Sequence, residues 1–179
     1  MGISGCPCIL CTQSSREASW DQRDRTIAAS TRDHGWHVMG VHADDDTPAG
    51  WAYSIGLWHT LRSPEICVFG LAVDTMMPLI NAAGDAVVNG PPLMPDQRRN
   101  DIFDHVPAVI RPVHESWCTD FFGAGLDFYQ VSPLPVAQLF WPDREGCFPW
   151  EDGAADYCRD NQPLLWIPKP DTPGPWGAS

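Results

Sequence analysis

The sequence predicts a single α+β domain: a mixed or mainly antiparallel central sheet with about three flanking helices. Three observations lead there. The chain has 179 residues, 44% of them apolar, which suits one domain with its own core. Helix-period and strand-period segments follow one another without the regular alternation of a βαβ repeat. No segment recurs at a fixed period. On this reading residues 1–13 are a cysteine-containing N-terminal segment, 14–165 the domain, and 166–179 a proline-rich extended tail.

Ser14-Ser15-Arg16-Glu17 has the spacing of a capping box and predicts a helix from about Ser15 to Asp33. Gly35 ends it, being the residue best able to take a left-handed cap. Three strands follow, over Trp36–Val41, Trp51–Leu57 and the continuously apolar Ile66–Leu71, in which Cys67 is a small core residue. A helix over Thr75–Val88 has Asp74 as its cap and Pro78 in its first turn, where a missing N–H is tolerated. Val106–Val113 is a strand, and its two prolines point to a sheet edge. His114–Tyr129 is a third helix and Val136–Trp141 another strand.

Charge and leader-like features bound the function. The net charge is −12, with ten acids and five bases before residue 91 and thirteen and six after it. A chain without a basic footprint is not expected to bind nucleic acid or an anionic membrane. No apolar run reaches the roughly 18 residues of a bilayer span. The start lacks the basic and long apolar regions of a secretory signal, so a cytoplasmic location is expected. Seven cysteines in such a chain do not read as a disulfide framework.

Cys6-Pro-Cys8-Ile-Leu-Cys11 is the sharpest metal-like motif. Three thiolates at this spacing suit zinc, and a closed site needs a fourth ligand, from Cys147, Cys158 or a histidine. A redox pair at Cys8 and Cys11 is the other chemistry open to it. His34, His37, His42 and His59 lie close in sequence, but they lack the i, i+4 spacing of a helical metal pair, and His37 and His42 point to opposite strand faces. Asp44-Asp45-Asp46 lacks the rest of a calcium loop and reads as a solvated turn.

Polar and aromatic residues gather in two further places. One is Tyr53-Ser54, with Trp58, His59 and Glu65; the other is Trp141-Pro-Asp143 with Phe148-Pro-Trp150. A P-loop, a dinucleotide fingerprint and the G-x-S-x-G elbow are all missing from the chain. Asp143 beside Trp141 is the carboxylate whose pKa burial would raise.

These pieces resemble a bacterial family, the domain of unknown function 4262. The resemblance rests on His34-Gly35-Trp36, Trp51-Ala-Tyr53-Ser54-Ile-Gly56-Leu57, Pro64-Glu65-Ile66, a helix ending at Gly90, and Trp141-Pro142-Asp143 with Gly146 and Pro149-Trp150, in that order over roughly residues 8–165. Members often open with paired cysteines, as Cys8 and Cys11 do, and often carry His where this chain has Ser63. If that histidine has a catalytic role in the family, this chain lacks it or uses His59 instead. The resemblance implies a fold and a site location and brings no reaction with it.

Three functional expectations follow. The first is a binding or accessory domain whose pocket is formed by residues 53–65 and 141–150, with Tyr53, Ser54, Trp58, Trp141 and Trp150 contacting a small molecule or protein. The second is a hydrolase or transferase with His59 as general base and Glu65 or Asp143 as orienting group or acid. The third is a zinc-stabilised interaction protein, phage- or gene-cluster-encoded, with the metal on Cys6, Cys8 and Cys11 and an acidic surface for a basic partner.

Overall fold

Six strands form one mixed sheet in the order β1-β2-β3-β6-β5-β4 in a computed structural model that describes residues 5–45, 47–103, 106–172 and 175–177. They are β1 (His37–Val41), β2 (Trp51–Ile55), β3 (Glu65–Phe69), β4 (Arg98–Arg99), β5 (Ala108–Pro112) and β6 (Val136–Phe140). All neighbours are antiparallel except β3 and β6, which run parallel with Glu65 opposite Val136 and Cys67 opposite Gln138. Every residue of β2, β3 and β6 is buried, because helices and loops cover both faces of the sheet centre. Those strands accordingly read as apolar runs with little alternation.

Seven α-helical segments are described, α1 (Ile9–Thr12), α2 (Gln22–His34), α3 (Leu57–Leu61), α4 (Val73–Asn89), α5 (Cys118–Phe121), α6 (Gly123–Tyr129) and α7 (Asp156–Asn161), where the sequence indicates about three. The difference comes from short turns of helix and from one division. His114–Tyr129 is a 3-10 turn followed by α5 and α6, which part at Phe122. Likewise, residues 14–19 form a 3-10 helix, and α2 begins afresh after Asp21, whose carboxylate accepts from the Asp24 N–H. Glu17 is not reaching back to cap a helix; Arg32 holds its carboxylate at 2.8 and 2.9 Å. Gly35, at φ 93°, does end α2 as a left-handed cap. Helix α4 begins at Val73 with Ala72 as N-cap, so Asp74 lies inside the first turn and Pro78 beyond it. Strand β5 lies inside the sheet, with the two-residue β4 outside it.

Two main cores lie on the two faces. Trp51, Tyr53, Ile55, Cys67 and Phe69 meet α2, α5 and α6 on one side, together with Cys6, Cys8 and Ile9 of the N-terminal segment. Ala52, Ile66 and Val68 meet Met76, Ile80 and Ala83 of α4 on the other. Part of the tail belongs to the first core: Trp176 is buried edge-on against Phe69, and its indole N–H donates to the Asp160 carbonyl at 2.7 Å. Residues 1–4, Asp46 of the aspartate turn, and 173–174 and 178–179 of the tail lie outside the described residues. No helix among the described residues is long and apolar enough to cross a membrane.

Candidate metal centre

A sharp change of direction after β2 builds the site. Gly56 has φ 129°, a backbone conformation that side-chain-bearing residues rarely adopt. A Cβ there would also lie 2.8 Å from the Trp36 Cα. The turn it permits starts α3 immediately, where the sequence reads two more strand residues. Helix α3 then carries His59 toward the N-terminal segment.

Cys6, Cys8, Cys11 and His59 converge there, with their ligand atoms all within 4.8 Å of one another. His59 Nδ1 lies 3.6 Å from Cys6 Sγ, 3.2 Å from Cys8 Sγ and 3.5 Å from Cys11 Sγ. A tetrahedral ion with bonds of about 2.3 Å to sulfur and about 2.0 Å to nitrogen holds its sulfur and nitrogen ligands about 3.5 Å apart. The observed spacings are those of such a coordination shell, so the donor set fits a zinc-like ion in both chemistry and size. Cys6 and Cys8 are buried, while Cys11 and His59 are half-buried.

The electrostatics follow from crowding thiols in a largely dry corner. Burial pushes the Cys8 thiol far up, with Cys6 adding to the effect. Burial raises Cys11 as well, while the Arg62 charge acts the other way. Burial lowers His59, helped by Arg62. Burial without a cation therefore favours the neutral thiols of Cys8 and Cys11 and the neutral imidazole of His59. A bound dication favours the thiolates, and with three of them the centre carries one net negative charge beside Arg62.

Glu65 lies behind this corner, fully buried at the start of β3. Its carboxylate accepts from the Ser54 hydroxyl, the Tyr129 hydroxyl and the backbone N–H groups of Gly56 (2.9 Å), Leu57 (3.3 Å) and Trp58 (3.1 Å). The Ser54 Oγ in turn accepts from the Ile66 N–H. Trp58 packs on the Tyr129 ring at 5.1 Å between centroids. Tyr53 points into the core beside Phe122, and burial pushes its phenol up to about 12. Ser63 is buried and donates to the Pro64 carbonyl.

The other expected site residues lie elsewhere. Trp141 follows β6 at the far end of the parallel pair from Glu65, and its indole N–H donates to the Phe69 carbonyl. It stacks on Tyr157 and lines an apolar cavity of about 340 Å³ with Leu71, Leu79, Phe103, Val106 and Pro142. Asp143 Oδ1 accepts from the Glu145 and Cys147 N–H groups and Oδ2 from that of Ala155. Those donors, that of Ala155 foremost, hold its pKa below the usual carboxylate value, opposite to the rise expected from a neighbouring tryptophan. Trp150 belongs to a separate stack with Phe140, Phe148 and Trp166, where the Arg111 guanidinium lies 4.3 Å from the Trp150 ring and 4.0 Å from Trp166. Residues 53–65 and 141–150 thus sit toward opposite ends of β3 and β6.

Cys158 is buried against Gln162 and Cys147 sits in the Asp143 turn, so neither joins the N-terminal cysteines. Of the four histidines close in sequence, His59 alone reaches the cluster; His37 bonds to Ser30 at 3.1 Å. Sequence spacing gives the three cysteines and leaves the histidine open. Tyr129, which bridges Glu65 and the His59 backbone, carries no sequence signal at all.

No curated protein and no solved structure matches the chain. A family model does match, over residues 30–155, a span that holds His59, Glu65 and Tyr129 and begins after the three cysteines. The chain therefore belongs to the family described as a domain of unknown function, DUF4262.

Proposed function

We propose that this protein is a zinc-stabilised interaction domain in which Cys6, Cys8, Cys11 and His59 hold one zinc ion. The observation that carries the reading is the set of three sulfur-to-nitrogen spacings, 3.2, 3.5 and 3.6 Å, which match the edges of a tetrahedral shell. Thiolate and imidazole ligands select zinc over magnesium or calcium, which take oxygen. Four protein ligands fill the tetrahedron, whereas catalytic zinc keeps a position for water or substrate. That argues for a structural ion. It also leaves His59 with a ligand's role, so the general-base reading of this residue is the weaker one.

The ion joins the first residues to the sheet. Cys6 and Cys8 lie in the same core as Trp20, Tyr53 and Tyr129, so metal binding and burial of the segment act together. The net charge of −12 favours a basic protein partner, and such a complex is expected to weaken as ionic strength rises. A second reading draws on the apolar cavity under Trp141, which is large enough for a small apolar ligand.

The test of the metal reading is the zinc content of full-length protein purified under reducing conditions, with melting recorded with and without chelator. One zinc per chain and a lower melting temperature after chelation are expected. Substoichiometric zinc with unchanged melting overturns it. A thermal-shift screen of apolar compounds tests the cavity: a stabilising hit whose effect is lost in Leu79→Trp supports that reading, and a flat screen removes it.

A further inference from the structure

The metal centre draws its ligands from two sources. Three lie within six residues of the N-terminal segment, and the fourth comes from α3 in the body of the domain. The short α3 would have little hold on its own conformation, since five residues are too few for a stable isolated helix.

Resting on the metal reading above, we propose that Glu65 and Tyr129 are positioning residues for the metal centre, fixing the His59 arm in its ligating conformation before the cysteine segment closes on the ion. The geometry is a chain of contacts that ends on the ligand. Glu65 takes the N–H groups of Gly56, Leu57 and Trp58, the three residues that lead directly to His59. The Tyr129 hydroxyl donates to Glu65 Oε1 and accepts from the His59 N–H at 3.2 Å. The main chain from Gly56 to His59 is therefore tied, residue by residue, to one buried carboxylate.

Two further features brace the helix itself. The neighbouring Trp58 ring lies on the Tyr129 ring, and Arg62 closes α3 in the left-handed conformation after His59. None of these contacts involves the cysteines, so β2, β3 and α6 hold the arm independently of them. Groups that orient a metal ligand from behind govern affinity through the geometry they impose, and their loss typically costs about 10–100-fold in binding.

The experiment uses the full chain. Zinc affinity is measured by competition with a chromophoric chelator for the wild type, Tyr129→Phe and Ile110→Val, at a temperature where all three are folded. Ile110 is buried on the opposite core, so its variant controls for a general loss of stability. The expected result is binding weakened about 10-fold or more by Tyr129→Phe and unchanged by Ile110→Val, with altered visible bands of the cobalt-loaded protein only in the tyrosine variant. Binding by Tyr129→Phe within about twofold of a zinc-binding wild type overturns the positioning role and leaves the metal reading standing. A wild type that takes up no zinc overturns both. Amide exchange on zinc-free wild type needs no variant. Slow exchange at Gly56–His59 supports a preformed arm, and exchange there as fast as at the exposed turn residues Asp152 and Gly153 overturns it.

Discussion

The cysteine–histidine corner and the Trp141–Trp150 segment share a composition, polar side chains set among aromatics, and differ in where the polar atoms point. In the first, three sulfurs and a ring nitrogen face one another. In the second, both Asp143 oxygens accept from backbone N–H groups, the Trp141 indole N–H donates to a carbonyl, and Arg111 lies against two tryptophan rings. A group whose bonding capacity is met by the protein serves the fold. A cluster whose members have chiefly each other leaves room for something to bind. Glu65 shows that this rule cuts across the two regions: it lies beside the first, yet its oxygens are taken up by the backbone that leads to His59 and by the hydroxyls of Ser54 and Tyr129.

Removing one ligand separates the regions most strongly. Cys8→Ser is expected to abolish stoichiometric zinc. At free zinc about 1,000 times the dissociation constant the lost stabilisation is about 4 kcal/mol. For a chain of this size that is a fall of roughly 8–16 °C in melting temperature. Chelation of the wild type should reproduce it and have no further effect on the variant, as read by calorimetry.

Trp150→Ala is the matching change in the other region. It removes a half-buried ring packed on Phe140, Phe148 and Arg111 and is expected to cost about 2–3 kcal/mol, below the range for a fully buried aromatic. Zinc affinity should not move. Weakened zinc binding in this variant, measured by chelator competition, would show that the regions are coupled.

Asp143→Asn sharpens the contrast through pH. The folded pKa of Asp143 is depressed, chiefly by the Ala155 and Cys147 N–H groups. Its contribution is therefore full above the unfolded value of about 3.9 and is lost as pH falls through the folded pKa. The melting difference between wild type and variant is expected to be largest near neutrality and to shrink below about pH 4. A difference that stays constant across that range contradicts the assignment.

The smallest effect belongs to the exposed Arg23–Asp127 pair at 2.7 Å. Arg23→Ala is expected to change stability by less than about 1 kcal/mol in denaturant melts, with zinc content unaltered.

Much of the fold is legible in the sequence, and the reasons for the gaps are physical. Helix α2 ends at Gly35 because only a left-handed residue closes it there, and the buried strands announce themselves as apolar runs. Helix α3 has too few residues to show a period, and Gly56 hides in a segment that otherwise reads as strand. The 114–129 helix breaks at Phe122, directly before Gly123. The three cysteines are legible as a ligand motif because they are close in sequence. His59 lies 48 to 53 residues away and meets them only through tertiary structure, so residue type alone leaves it between base and ligand. The direction of the Asp143 pKa is hidden for the same reason: its neighbour in sequence is a tryptophan, but its neighbours in space are N–H groups.

X-ray absorption at the zinc edge of the purified full chain tests the central claim most directly, because it reads ligand type and distance without a variant. The account predicts three sulfur ligands at about 2.3 Å and one nitrogen at about 2.0 Å. A shell of oxygen and nitrogen alone, or an edge too weak for one zinc per chain, would contradict it.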